Sequence, residues 1–250
     1  MQKTIYGNVI RYTFGPETIP RVGHNIYAVK SEESLTIIDP SSENMVGEIK
    51  NDDDFNADRL ENIIISHYHG DHIGGIAQLP KCTVWGSEQY AKTLGNRYPQ
   101  PLIDLVKPSI DLQYGVHQYT LGGVPVRFYQ GRGHTACGIL TVIGEEFIHT
   151  NDIVGFNERG DPILPLIFDS AYEYYRTIQK ILGFNLKIII PHMQDLDQTK
   201  IRDTLLIYKE YLEEILEHRE QFDLKKFEEK QGISFDYSMH HSKNLRHLGI

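Results

Sequence analysis

The sequence predicts an α/β sandwich, and two patterns carry that expectation. Short β-like runs bounded by turn residues lead into a helical stretch, and the same order recurs in the second half of the chain. That repetition suits layered halves better than one doubly wound sheet. The 250 residues are 40% hydrophobic and 24% charged, a globular composition that excludes a disordered or collagenous chain. A chain of this length buries a sizeable core without covalent staples. No fixed-period repeat, low-complexity segment or linker interrupts it, so residues 1–250 read as one domain ending in a C-terminal helix and tail over about 200–250.

In order along the chain, Thr4 to Phe14, Asn25 to Lys30 and Leu35 to Asp39 read as strands, separated by Gly15-Pro16, Arg21-Val22-Gly23 and Ser31 to Ser34. Ser41-Ser42 can cap a helix carrying Met45, Val46 and Ile49, and Asn51 to Asp54 is a solvated acidic turn. Ile63-Ile64-Ile65-Ser66 is continuously apolar, as in a strand covered on both faces, and a helix begins near Ile73. Thr83 to Trp85 is a further strand, followed by a helix from Ser87 to about Leu94. Asn96 to Tyr119 is broken by prolines and reads as irregular. Val124 to Tyr129, Ile139 to Ile143 and Phe147 to Thr150 are strand-like. From Asp169 the period turns helical, with Tyr172, Tyr175, Ile178, Ile181 and Leu182 on the inner face and a stop at Gly183. Lys187 to Ile190 is a last strand, stopped by Pro191. A long amphipathic helix from about Lys200 to Glu220 presents Leu205, Tyr208, Leu212 and Leu216, and the charged tail that follows is expected in solvent.

Charge and cysteine content narrow the function. The net charge of −9 argues against a protein that grips a nucleic-acid backbone, for which no basic cluster is evident. No apolar run approaches the roughly 18 residues of a membrane span, and the start, MQKTIYGN, lacks a signal core. Cys82 and Cys137 are too few for a disulfide framework and fit a reducing compartment. A cytoplasmic protein with a small-molecule partner, without nucleic acid or membrane, is expected, and a homodimer is allowed.

The chemistry concentrates in Ser66-His67-Tyr68-His69-Gly70-Asp71-His72, where four metal-competent side chains follow a buried strand. Imidazole and carboxylate are the donors Zn²⁺ takes when thiolates are absent, and neither cysteine is near to close a structural site. A loop leaving a strand aims His67 and His69 at one point while Asp71 and His72 turn toward another, which favours two ions over one cage. His134 sits in the turn Gly131 to Thr135, Asp152 follows the strand ending at Thr150, and His192 follows Pro191. Each candidate therefore lies just past a strand end, where all can converge on one rim.

His67-x-His69-x-Asp71-His72, then Gly133-His134-Thr135, then Asp152, then His192 resemble the metallo-β-lactamase superfamily in order and spacing, over Ile26 to His192. The motifs do not identify a subfamily. The resemblance implies a four-layer αββα sandwich of two mixed sheets flanked by helices, with a two-metal site at one edge. It implies two Zn²⁺ per chain, with iron or manganese also accommodated. His67, His69 and His134 match the first-metal ligands; Asp71, His72 and His192 match the second; Asp152 matches the bridging carboxylate. Asp39 matches the family's aspartate beneath the site. Two positions depart from the family: Asn151 stands where Gly often precedes the bridging Asp, and Met193 where Gly often follows the last His.

The implied chemistry is hydrolysis by a metal-bridging hydroxide, two cations roughly 3.5–4 Å apart acidifying it and polarising the electrophile. Asp71 is the expected catalytic residue, passing a proton to the leaving group. A small-molecule ester, lactone or thioester is the favoured substrate, although the family's lactonases carry Tyr where Gly155 stands. The alternatives are a phosphodiesterase or nuclease, whose histidine motif is close to HYHGDHIGG, then an iron-dependent persulfide dioxygenase or diiron module, then a binder without catalysis. Lys243 and Arg246 could imitate the basic residues of the family's glutathione thioesterases, but read better as a solvated tail.

Other residues read more plainly. Cys137 packs as a strand thiol, Tyr68 supports its loop or reaches substrate, and His149 can bond beneath the site. His24, His117 and His218 are surface or structural, His240, His241 and His247 are in solvent, and Ile163 to Phe168 is an apolar loop that can wall a pocket.

Overall fold

In the computed structural model, which describes residues 1–19, 22–95, 97–113, 115–192 and 197–248, two β-sheets lie face to face between helical layers. The first sheet runs β1 (Gln2–Tyr6), β2 (Val9–Phe14), β3 (His24–Lys30), β4 (Leu35–Ile38), β5 (Leu60–Ile64), β6 (Thr83–Ser87) and β7 (Ile110–Leu112), in chain order. β1 to β4 pair antiparallel and β4 to β7 parallel. The second sheet contains β8 (Val116–Leu121), β9 (Val124–Gln130), β10 (Ile139–Ile143), β11 (Phe147–His149) and β12 (Lys187–Ile189); β8 to β11 are antiparallel and β12 joins parallel to β11. Both sheets are mixed, as expected.

Burial follows the layers. Val9, Tyr27, Val29, Ile38, Ile64 and Trp85 of the first sheet meet Val126, Phe128, Ile139, Ile143 and Phe147 of the second in the central apolar layer. The other face of the first sheet packs Ile26, Ile37 and Ile63 against α1 (Glu43–Ile49) and α2 (Gly70–Ile73) through Met45, Ile49 and Ile73. The outer face of the second sheet, with Leu140, Val142, Ile148 and Ile188, is covered by α5 (Ala171–Gly183) and α6 (Gln198–His218). Strands with apolar contacts on both faces need the continuous apolar runs read in the sequence.

The local differences have physical reasons. Thr4 to Phe14 is two strands, because Gly7, at φ +60°, turns the chain between them. The stretch read as irregular holds α4 (Gln100–Val106), β7 and β8. Pro101 lies in the first turn of α4, where its missing N–H costs nothing, and β8 alternates exposed with half-buried residues, so neither shows an apolar run. The helix read from Ser87 to Leu94 is shorter, α3 (Tyr90–Leu94). On α5 the inner tyrosine is Tyr174, while Tyr172 is 59% exposed. On α6 Ile215 points inward and Leu216 outward. The tail is not a solvated strand of charge: α7 (Leu224–Gln231) and α8 (His240–His247) fold back on the second helical layer, through Phe227 and the buried Asn244. No helix among the described residues is long and apolar enough to cross a membrane. Arg21, Asn96 and Met193, named above, lie outside the described residues.

One contact couples the first sheet to the histidine segment. Asp39 and Ser41 both take positive φ around Pro40, and the Gly75 amide donates to the Ser41 carbonyl at 2.8 Å. A Cβ on Gly75 would run into the Pro40 carbonyl oxygen. Gly75→Ala is expected to cost about 1–3 kcal/mol. Thermal unfolding checks this, as a Tm drop of about 2–4 °C for each kcal/mol.

Candidate metal centre

The histidine segment leaves β5 through Ser66, so that His67 and His69 follow extended backbone while Asp71 and His72 lie on α2. His134 sits in the loop from β9 to β10, which is closed by the Gly131 amide donating to the Gly138 carbonyl at 2.9 Å. Gly133, at φ +119°, has α5 against it at Tyr174, and a side chain there would collide with that helix. Asp152 lies in a short turn after β11, and the Tyr174 hydroxyl donates to the Ile153 carbonyl at 2.8 Å. His192 leaves β12 through Pro191.

These seven side chains meet at one edge of the sandwich. His69 Nδ1 lies 3.0 Å from His67 Nε2 and 3.1 Å from His134 Nε2. The Asp152 carboxylate divides between two groups. Its Oδ2 is 3.6 Å from both His67 Nε2 and His134 Nε2, and its Oδ1 is 3.3 Å from His72 Nε2 and 3.4 Å from His192 Nε2. Asp71 Oδ2 stands 3.8 Å from His72 Nε2 and 3.7 Å from His192 Nε2.

The outward ring nitrogens explain the inward aim. His134 Nδ1 donates to the Leu166 carbonyl at 2.9 Å and His192 Nδ1 to the Gly23 carbonyl at 3.0 Å. His72 Nδ1 donates to Asp39 Oδ2 at 2.9 Å, and Asp39 also accepts from the Ser66 amide at 2.7 Å. A neutral ring that donates from one nitrogen presents a lone pair on the other. Burial pushes His67 and His134 down and His69 down to about 4, which holds those rings neutral. Burial alone would raise the Asp152 carboxyl, but His72 and His192 outweigh it and hold the group well below the usual carboxylate range, while the same carboxylate pushes those two imidazoles up against their burial.

The donor set fits metal ions. Donors about 2.0–2.2 Å from a tetrahedral ion stand about 3.4 Å apart, close to the separations observed. His72 Nε2 and Asp152 Oδ1 are buried without a well-formed hydrogen bond among the described residues. His67, His69, His134 and Asp152 could hold one ion, and Asp71, His72 and His192, joined by the second Asp152 oxygen, another.

Residues around the centre divide into supports and walls. Asn151, one of the two departures, takes φ +46°, which Asn tolerates, and its amide donates to the Gly131 and Ile139 carbonyls at 3.2 and 2.9 Å. His149 is buried beneath the site, 3.9 Å from Asp39 Oδ2. Tyr68 and Cys137 pack in the core below the loop, away from the cavity. His24 is not on the surface: it is fully buried against His72 and His192, and the sequence reading missed it as a site residue. The other ligand candidates follow strand ends, whereas His24 begins β3. Because β3 runs antiparallel to β4, its start lies at the same edge.

A cavity of about 320 Å³ opens on His69, Asp71, His134, Asp152 and His192 and is walled by Ile163 to Leu166 and Phe168. The tail holds that wall, against the expectation that it lies in solvent. His240 Nδ1 donates to the Leu164 carbonyl at 2.8 Å, and Asn244 donates to the Pro165 carbonyl at 2.8 Å while accepting from the Ile167 amide at 3.0 Å. His247 bonds the Asp169 carbonyl and His241 the Tyr211 hydroxyl. Lys243 and Arg246 are exposed on α8.

An αββα sandwich with paired histidine–aspartate groups at one sheet edge defines a class, and comparison with known proteins agrees with it. The sequence profile of the metallo-beta-lactamase superfamily matches residues 19–192, and the chain belongs to that superfamily. A hydroxyacylglutathione hydrolase of Haemophilus ducreyi is 29% identical over 139 residues, 54% of this chain and 52% of that protein, so the chain aligns with about half the length of this curated relative. Among solved structures, a metallo-beta-lactamase from Pontibacter korlensis superposes with a TM-score of 0.66 at 19% identity, over 83% of this chain and 98% of that one. An archaeal superfamily protein from Sulfolobus tokodaii superposes with a TM-score of 0.59 at 20% identity, over 98% and 99%. At these identities the structural likeness speaks for the fold.

The Asp39 carboxylate is the support whose loss is most specific. Asp39→Asn can still accept from Ser66 but turns an amide N–H toward the His72 N–H. Affinity for the second ion is expected to fall by about 10–100-fold, measured by competition with a chromophoric chelator.

Proposed function

We propose that the chain is a metal-dependent hydrolase of small-molecule thioesters or esters. The observation that carries this reading is the apolar-walled cavity opening directly on the histidine–aspartate cluster. Its 320 Å³ lies at the small-molecule end of ligand sites. The curated relative supports the thioester side of the reading, since its name makes hydroxyacylglutathione, a thioester, its substrate.

His67, His69, His134 and Asp152 would hold one ion, and Asp71, His72, His192 and Asp152 the other. Bound divalent cations supply Lewis acidity and a water acidified enough to ionise near neutral pH, with zinc the expected metal. The chain's own residues do the rest. Ile163 to Leu166 and Phe168 enclose the acyl part and displace water around it. Asp71 lines the cavity with its side chain 37% exposed, and with Oδ2 turned to His72 and His192 its other oxygen would serve the reaction. That oxygen takes the proton from the attacking water and gives it to the departing sulfur or oxygen.

A substrate panel tests the reading: an S-acyl thioester, p-nitrophenyl acetate, a lactone and bis(p-nitrophenyl) phosphate, each with the metal-loaded protein. Turnover of the thioester or ester is expected, abolished by chelation and restored by zinc; a phosphodiester cleaved tenfold faster than every acyl substrate would overturn it. Asp71→Asn is expected to lower kcat by about 10²–10⁴-fold with a much smaller loss of bound metal. Equal losses of turnover and metal would remove Asp71 from proton transfer.

A further inference from the structure

We propose that His24 is itself a metal ligand, adding a third imidazole to the position formed by Asp71, His72 and His192. The inference rests on the metal-binding reading of the centre and is independent of which bond is hydrolysed.

The case begins with burial. His24 is fully buried, and neither ring nitrogen has a hydrogen-bond partner among the described residues. His72, His134 and His192, by contrast, each have one nitrogen tied to the protein. Leaving a buried polar group unpaired is costly, so an imidazole kept here for packing alone would be poorly chosen over a phenyl ring.

Its position supplies the partner. The ring stands edge-on between those of His72 and His192, 5.1 Å from each by centroid. One of its nitrogens lies within 4.8 Å of the donor atoms of Asp71, His72 and His192. Donors about 2.1 Å from a six-coordinate ion are about 3 Å apart when adjacent and about 4.2 Å when opposite, so such a group closes on one ion with shifts of several tenths of an ångström.

The backbone holds His24 in that place. Gly23, at φ +62°, packs against the Phe14 carbonyl, where a side chain would collide, and its own carbonyl accepts from His192. The Asn25 amide donates to the Pro191 carbonyl at 2.6 Å, and the Tyr27 hydroxyl to the Ile190 carbonyl at 2.9 Å. The start of β3 is thus clamped to the segment bearing His192, and the two histidines keep their spacing together.

With Asp152 the position would offer five protein donors, three imidazoles and two carboxylates. Zinc sites of four ligands do not need that number. The ligand class is a divalent transition ion, and one that accepts five or six nitrogen and oxygen donors, as zinc does when it expands its coordination and iron(II) or cobalt(II) do more readily, would use all of them.

The test loads the full chain with cobalt(II) to saturation and counts hyperfine-shifted, solvent-exchangeable imidazole N–H resonances by proton NMR. Six are expected, one for each histidine of the two groups, His24, His72, His192, His67, His69 and His134. His24→Phe keeps a ring between its neighbours and is expected to leave five, with affinity for the second ion at least about tenfold weaker. A count of five in the unsubstituted protein would overturn the assignment, whether or not His24→Phe folds. Six resonances in both proteins would overturn it as well. A protein that takes up no cobalt would overturn the metal reading and this inference with it, whereas loss of acyl turnover alone would leave the count unchanged.

Discussion

The edge of the sandwich is governed by lone pairs that face one another. His69 Nδ1 stands about 3 Å from ring nitrogens of both His67 and His134, and the two oxygens of Asp152 face imidazole nitrogens at 3.3–3.6 Å. His72, His134 and His192 turn an N–H outward, to Asp39 and to the Leu166 and Gly23 carbonyls. Acceptors gathered in a buried place repel unless a cation sits among them, and then the same geometry becomes attraction. The arrangement therefore couples the order of this edge to metal in a way that a packed apolar edge would not require.

The sheets make the convergence possible. β4 and β5 are parallel, so Asp39 and the His67–His72 segment leave them at one end. β11 and β12 are also parallel, which brings Asp152 and His192 out together. Facing the sheets through the central apolar layer puts both ends at a common rim. Rigid strands fix the origin of each loop, and the short loops carry the chemistry. The strained turn at Asp39–Ser41 belongs to the same device, since it points a carboxylate at His72 from beneath.

What the sequence disclosed and what it hid follow from the range of the interactions. The His67–His72 group is local, and the remaining donors sit just past apolar runs that are visible as strands, so the whole predicted set could be placed. His24 escaped because it begins its strand rather than following one, and only the antiparallel pairing of β3 with β4 reveals which edge it shares. Three tyrosines at 172, 174 and 175 made the face of α5 ambiguous; packing of Tyr174 against Gly133 decided it. β8 escaped because its alternating face is half solvated. The tail escaped for a different reason: α8 is anchored by hydrogen bonds from His240, Asn244 and His247, and hydropathy does not register such anchors.

That last point separates two layers of the molecule. Every ligand candidate lies within the segment matched by the superfamily, residues 19–192, whereas the α8 residues that hold the cavity wall lie beyond it. The backbone of the 163–168 loop is satisfied from both sides, by His134 at Leu166 and by α8 at Leu164, Pro165 and Ile167. A loop so satisfied can turn apolar side chains to the cavity without exposing unpaired carbonyls, which a free loop could not do at comparable cost. The same Leu166 carbonyl that completes the wall also fixes the ring of His134. Movement of the tail would reach the metal centre through this loop, whose Leu166 carbonyl and Phe168 amide both bond His134, so the shape of the cavity and the aim of a ligand are set by one continuous network.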